Sequence, residues 1–317
     1  MSMAAPQLLE VQDLGVCFGR TRAVDRISFQ VRESETLGLV GESGCGKSTT
    51  ALALMRLLRG ASLEGRAYLD GVDLLALDEE TMRDLRGRRV GMIFQDPATA
   101  LHPMMRVGGQ VAEVLRAHLD LSQADAKARA VELFRKVGIA APEERLRAYP
   151  HELSGGMCQR VVIAMAIACS PRLLLADEPT TALDVTVQAQ ILDLLREIAR
   201  QSGAGMVLIT HDLGVVAGIA DRVAVMYAGQ IVEAGPTDKI FARPLHPYTA
   251  GLLASIPQLD SGWDEPVPTI PGSVRNFRAS GGCPFAPRCS LASAECGSPP
   301  PLEEVGDGRS VACWKAA

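Results

Sequence analysis

The sequence predicts an α/β fold: a largely parallel sheet with helices on its faces, an inserted helical subdomain and a cysteine-rich C-terminal extension. Three observations carry this expectation. Short apolar strands alternate with helical segments. A glycine-rich loop ending in Lys-Ser lies between a strand and a helix. A second apolar strand runs into two adjacent carboxylates, at the end where parallel sheets bind ligands.

The elements follow in order. Leu8 to Val11 and Ile27 to Val31 read as edge strands, the second alternating through Ile27, Phe29 and Val31. Thr36 to Val40 reads as a short strand buried on both faces. A helix is expected from Lys47 to about Arg59, and a strand from Val90 to Phe94. Residues from about Met104 to Gly138 carry helical patterning, and the stretch from Pro97 to Ala168 reads as the inserted helical subdomain. A buried strand at Leu173 to Ala176, a helix at Val185 to Arg200, and strands at Met206 to Thr210 and Val223 to Met226 complete the main domain. Proline and cysteine usage then shifts: eleven of the 19 prolines and four of the eight cysteines lie at or after Pro244. The expected boundary lies near Ala242 to Pro244, giving a main domain over 1–242 and an extension over 243–317. The extension should open with a helical bridge, His246 to Ser255, and continue as a loop-rich tail.

Composition narrows the function classes. The 317 residues are 47% hydrophobic and 22% charged, which excludes a disordered, collagen-like or coiled-coil chain. Net charge is −5, with 32 basic and 37 acidic residues, so no nucleic-acid partner is expected. The longest apolar run, Val161 to Cys169, is far short of the ~18–20 residues that span a bilayer. Met1 to Leu14 lacks a signal-peptide pattern, so the chain is expected to stay in the cytosol.

Gly41-Glu42-Ser43-Gly44-Cys45-Gly46-Lys47-Ser48 fits the phosphate-loop pattern G-x-x-x-x-G-K-[ST] in its strand–loop–helix context. Glycines let the backbone wrap phosphates, and the N–H groups and the helix N-terminus supply positive potential. Lys47 suits the β- and γ-phosphates, and the Ser48 hydroxyl suits Mg²⁺. Cys45 is a small loop residue whose thiol is a possible point of oxidation. Asp177, ending the strand from Leu173, suits Mg²⁺ as a Walker-B aspartate, and Glu178 suits a general base that polarises water. These two motifs define a phosphate-loop NTPase.

Leu153-Ser154-Gly155-Gly156-Met157-Cys158-Gln159-Arg160 resembles the signature of ATP-binding cassette (ABC) ATPases. Gln95 resembles that family's Q-loop, Ala182-Leu183-Asp184 its D-loop and Thr210-His211-Asp212 its H-loop, while Phe18 sits where the family stacks an aromatic on adenine. The resemblance implies ATP and Mg²⁺ as cofactors. Phe18, Gly41, Ser43, Gly44, Cys45, Gly46, Lys47, Ser48 and Thr49 would bind the nucleotide, with Mg²⁺ held through Ser48, Gln95 and Asp177. Glu178, His211 and Gln95 would serve catalysis. Ser154 is a good N-cap followed by Gly155-Gly156, so the signature helix opens as an anion site. The family implies that this site and Asp184 act across a pair of cassettes, sandwiching ATP. Three departures stand out: Cys158 where near relatives carry arginine, Ser34 where glycine is frequent, and His102 in place of asparagine.

Leu245-His246-Pro247-Tyr248-Thr249 and Gly282-Cys283-Pro284-Phe285-Ala286-Pro287-Arg288-Cys289 resemble the C-terminal extension of oligopeptide and dipeptide importer ATPases, with the signature and D-loop strings nearest the D-type subunit. That resemblance implies an ATPase powering peptide uptake from the cytoplasmic face of the inner membrane. Its partners would be a second, F-type ATPase, two transmembrane permease subunits and, indirectly, an extracytoplasmic substrate-binding protein. Nickel or glutathione import by the same machinery is the alternative. A repair or translation ATPase fits less well, since the chain has one cassette and no coiled coil. Cys283, Cys289, Cys296 and Cys313 are spaced x5, x6 and x16, which leaves three readings: a [4Fe–4S] cluster, a zinc site, or reduced or disulfide-bonded thiols. The family points to the iron–sulfur cluster, with which the loop-rich tail would gain the stability it lacks.

Overall fold

The computed structural model describes residues 7–181, 183–256, 268–273 and 281–316. In chain order the elements are β1 (Gln7–Phe18), β2 (Thr21–Arg32), β3 (Thr36–Val40), α1 (Lys47–Leu54), β4 (Ala61–Leu69), β5 (Val72–Asp73), α2 (Glu79–Leu85), β6 (Val90–Ile93), α3 (Pro97–Ala100), α4 (Val107–His118), α5 (Gln123–Lys136), α6 (Pro142–Arg145) and α7 (Gly155–Ala166). They continue with β7 (Leu173–Asp177), α8 (Val185–Ser202), β8 (Gly205–Thr210), α9 (Leu213–Ile219), β9 (Arg222–Tyr227), β10 (Gln230–Pro236), α10 (Thr237–Ala242), α11 (Pro247–Ala254), β11 (Glu303–Gly306) and β12 (Arg309–Val311). Two compact units emerge. One comprises the described residues of 1–9, 31–35 and 76–207, the other those of 10–30, 36–75 and 208–317.

In the first unit β6 and β7 pair in parallel, Val90 opposite Leu173 through Ile93 opposite Ala176. Every residue of β7 is buried, which explains its unbroken apolar run up to Asp177. Helices α4, α5 and α7 pack on one another. Ser122 caps α5, whose buried face is Ala126, Ala130, Leu133 and Phe134 at helical spacing. Asp184 caps α8, which buries Ile191, Leu195, Ile198 and Ala199 and ends at Gly203 with φ +71°.

The second unit holds a sheet ordered β2-β1-β4-β5 and the run β11-β12-β10-β9-β3. Strand β3 pairs in parallel with β9, Leu37 opposite Arg222 through Val40 opposite Val225. The β9–β10 hairpin turns through Ala228 and Gly229, both at positive φ, as a two-residue turn requires. Helix α1 stops at Leu54 rather than near Arg59, because Arg56 adopts a left-handed conformation with φ +50°.

The extension opens with α11, as expected of the helical bridge, and its loop-rich tail carries two short strands. Strands β11 and β12 form an antiparallel pair, and β12 adds to β10 with Glu233 opposite Val311. Glu233, fully buried, pairs with Arg309 at 2.9 Å and accepts hydrogen bonds from the Leu245 and His246 amides. Tyr227, Tyr248, Phe285 and Cys283 share one core cluster. The tail therefore buries apolar surface and pairs its buried Arg309 guanidinium with Glu233.

His246 caps α11 through Nδ1, which accepts from the Tyr248 amide at 3.0 Å. Burial pushes its imidazole down from 6.5 to about 4. Below about pH 6.5 the unfolded chain therefore binds a proton that the folded chain refuses, and stability is lost as pH falls toward 4. His246→Asn keeps a capping oxygen and removes the titration. Its melting temperature is expected to fall less steeply than the wild type's between pH 6.5 and 4. Parallel slopes in a thermal melt series would contradict this origin of the acid lability.

Candidate functional site

The phosphate loop is shaped by the strand register. With Val40 opposite Val225, Gly41 falls beside Met226, and a Cβ there would sit 2.1 Å from the Met226 carbonyl oxygen. Gly41, Gly44 and Gly46 have φ of +152°, +80° and +114°, values that L side chains rarely adopt. A Cβ on Gly46 would lie 2.7 Å from the Ala23 carbonyl oxygen. The Gly229 amide donates to the Cys45 carbonyl at 2.8 Å, tying the loop to the hairpin turn.

Lys47 is 4% exposed, and its Nζ donates to the carbonyls of Gly41 at 2.6 Å and Glu42 at 3.1 Å. Ser43 and Gly44 are exposed at the loop tip, and Ser48 and Thr49 are half-buried in the first turn of α1. Cys45 is fully buried, and desolvation pushes its thiol up despite the nearby Lys47, so it stays neutral and is poorly placed for oxidation. Phe18, ending β1, is 39% exposed, leaving ring surface open for stacking. His211 is exposed just beyond β8, where Asp212 caps α9 by accepting from the Gly214 and Val215 amides.

In the other unit, the β6–β7 register carries Gln95 alongside Glu178. Gln95 Nε2 donates to Glu178 Oε2 at 2.8 Å, and Thr181 Oγ1 donates to the same oxygen at 2.9 Å. Asp177 and Glu178 are both buried, and Glu178 has φ +45°, a left-handed conformation that costs energy in a non-glycine residue. Ser154 caps α7, its Oγ accepting from the Met157 amide at 3.3 Å, and a Cβ on Gly156 would lie 2.7 Å from Val187. Asp184 accepts from the Val187 amide at 3.0 Å as the α8 cap; Ala182 of the same motif lies outside the described residues.

The loop fits a polyphosphate: a buried ammonium held by carbonyls, amides in a positive-φ cradle, and no room for side chains at Gly41 and Gly46. Ser48, Gln95 and Asp177 each carry a side-chain oxygen, the donor type Mg²⁺ prefers.

Sequence reasoning missed Tyr248 and Arg288 as neighbours of the loop. The Glu42 amide donates to Tyr248 Oη at 2.9 Å, and Arg288 clasps the Glu42 carboxylate with both Nη atoms, at 2.6 and 3.0 Å. Their strings were conspicuous, but a pairing across 246 residues carries no local signal.

The iron–sulfur or zinc site expected at Cys283, Cys289, Cys296 and Cys313 is corrected. Among the described residues, which include all four cysteines, no group of three or more His, Cys, Asp or Glu is arranged to hold a metal ion. Burial pushes the thiols of Cys283 and Cys289 up, with neighbouring cysteines adding to the shift. Strand pairing, aromatic packing and buried ion pairs supply the cohesion for which the metal was invoked.

Gly41→Ala should cost more than the ~1 kcal/mol of an ordinary glycine exchange, because the Cβ meets backbone. It should also abolish the rise in melting temperature that ATP gives the wild type. A variant that melts with the wild type and is stabilised by ATP to the same degree would show that the loop tolerates a side chain there.

Comparison with known proteins agrees with this geometry. A family model described as ABC transporter matches residues 24–181, and one described as the oligopeptide/dipeptide transporter C-terminal region matches 232–296. The oligopeptide transport ATP-binding protein OppD of Salmonella typhimurium is 51% identical, the match covering 98% of this chain and 96% of the relative. OppD of Bacillus subtilis is 50% identical over 97% of this chain and 88% of the relative. Both relatives are named for peptide transport and ATP binding. Among solved structures, an ADP- and phosphate-bound dimer of the ATP-binding cassette MJ0796 superposes with a TM-score of 0.65 at 27% identity, covering 73% of this chain and 99% of that one. The cbiO1 subunit from Clostridium perfringens, part of an ABC transporter complex, gives 0.66 at 27% identity, over 75% and 91%. The chain belongs to the ABC transporter ATP-binding family, in the oligopeptide/dipeptide transporter branch that carries this C-terminal region.

Proposed function

We propose that this chain is the ATP-hydrolysing subunit of an ABC importer and powers uptake of di- and oligopeptides through membrane permease subunits. The observation that carries the chemistry is Glu178, buried after Asp177 and oriented by Gln95 and Thr181. The peptide cargo rests on likeness to OppD proteins and on the match of residues 232–296. That match favours peptides over nickel or glutathione. Among the described residues no helix is long and apolar enough to cross a membrane; likeness to the transport ATP-binding proteins supports coupling through partner subunits.

The roles of the individual residues belong to this reading. The amides of the phosphate loop and Lys47 bind and orient the triphosphate, and Phe18 stacks on the base. Ser48, Asp177 and Gln95 would hold Mg²⁺, which would supply Lewis-acid stabilisation of charge on the transferring phosphoryl group. Glu178 accepts a proton from the attacking water, and His211 meets the γ-phosphate. Motif order along the chain supports bringing these groups to one nucleotide. Ser154, Gly155 and Gly156 open a helix whose amides suit a phosphate, and Asp184 stands at the next helix start. We assign them to a nucleotide held by a second, homologous ATPase of F-type. The same reading puts the subunit on the cytoplasmic face of the inner membrane and an extracytoplasmic substrate-binding protein upstream of the permeases.

Glu178→Gln should keep ATP binding and slow hydrolysis by ~10²–10⁴-fold. Steady-state turnover near wild type would remove Glu178 as the base. Lys47→Ala should instead weaken binding itself, seen as loss of ATP-dependent thermal stabilisation.

Ser154→Arg separates the two-cassette reading from a single-chain one. It should leave ATP binding to this chain's own loop intact and abolish ATP-driven pairing of cassettes. Hydrolysis by the isolated monomer at the rate of the full complex would overturn the composite site.

A further inference from the structure

The C-terminal extension reaches the phosphate loop through two side chains. Arg288 lies at the end of the 3-10 turn Ala286–Arg288, and its side chain is 1% exposed. Both its Nη atoms bond the Glu42 carboxylate, a bidentate arrangement that fixes angle as well as distance. The guanidinium is itself held: Nε donates to the Pro271 carbonyl at 2.6 Å, Nη2 to the Ile270 carbonyl at 3.2 Å, and its Cζ lies 5.7 Å from the Tyr227 ring centroid. Tyr248, from α11, accepts a hydrogen bond from the Glu42 amide. Tyr248 packs against Tyr227 and Phe285 at centroid separations of 4.6 and 5.4 Å. Glu42 in turn gives its carbonyl to Lys47. A chain of direct contacts thus runs from the extension through Glu42 to the lysine of the loop.

Electrostatics gives these contacts a consequence. Glu42 is a carboxylate inside a loop whose task is to receive a polyphosphate. Unneutralised, it would repel the ligand and swing toward solvent, since it is already 29% exposed at the side chain. Arg288 cancels that charge from the side of the buried core, and Tyr248 fixes the backbone at the same residue.

We propose that Arg288 and Tyr248 are positioning residues for nucleotide binding, so that the C-terminal extension sets the ATP affinity of its own phosphate loop. The proposal rests on the cassette reading above and adds to it a role for the extension inside its own subunit.

The test measures ATP and ADP affinity of the full chain by fluorescent-nucleotide titration, with melting temperature recorded in parallel. Arg288→Met should weaken ATP binding by about tenfold or more, and ADP binding by less, because repulsion from Glu42 grows with phosphate charge. The double variant Arg288→Met with Glu42→Gln removes the stranded charge and should recover most of the lost affinity. A merely structural role for Arg288 predicts no such rescue. Tyr248→Phe, which removes one hydroxyl, should weaken ATP severalfold with a melting temperature near wild type, and it keeps the test open if Arg288→Met folds poorly. Lys315→Ala, which breaks an exposed pair with Glu295 in the same extension, should leave affinity unchanged. Wild-type affinity in both Arg288→Met and Tyr248→Phe, or a loss in Arg288→Met that Glu42→Gln does not relieve, would overturn the proposal. Failure of the wild-type chain to bind ATP at all would instead overturn the cassette reading beneath it.

Discussion

A buried lysine is the constraint on which the phosphate loop depends. Lys47 is 4% exposed, and its ammonium donates to the carbonyls of Gly41 and Glu42 and, at 3.9 Å, to the Cys45 sulfur. A buried cation held by neutral dipoles is costly until an anion arrives, so the loop is built to favour a phosphate. The arrangement requires a backbone that curls around the ammonium, and hence glycine at positive φ. It also requires a fixed strand pair beneath, which the β3–β9 register provides by bringing Gly41 against Met226. The hairpin turn at Gly229 and the extension through Glu42 brace the same few residues.

Much of this was legible because the relevant signals are local. Buried parallel strands read as apolar runs, and β3 falls where Thr36 to Val40 predicts it. Caps are local too: Ser154 and Asp184 stand at helix starts as their side chains imply. The Gln95–Glu178 hydrogen bond was not readable as a contact, but two adjacent strands of like register bring the motifs level. Strand β4 escaped notice because Ala61 to Arg66 are half-buried or exposed, so no apolar run marks its first part. Strands β11 and β12 escaped because they are short, and β11 is exposed along its length.

The cysteine tail shows where composition misleads. Four cysteines among many prolines invite a metal because such a segment looks unable to hold itself together. What holds it lies elsewhere in the sequence: Glu233 for Arg309, Glu42 for Arg288, and β10 for β12. Non-local partners of this kind satisfy buried charge and add strand hydrogen bonds without leaving a mark on the segment itself. Of these contacts, Glu42 with Arg288 is the one that reaches the phosphate loop.

The central claim is that ATP hydrolysis by this chain drives peptide across a membrane through partner subunits. Reconstitution of the chain with its permease partners, second ATPase and binding protein in proteoliposomes tests it most directly, with labelled peptide outside and ATP inside. The account predicts peptide accumulation that requires ATP and is lost when this subunit carries Glu178→Gln. Vigorous ATP hydrolysis without peptide uptake, or uptake indifferent to Glu178, would contradict it.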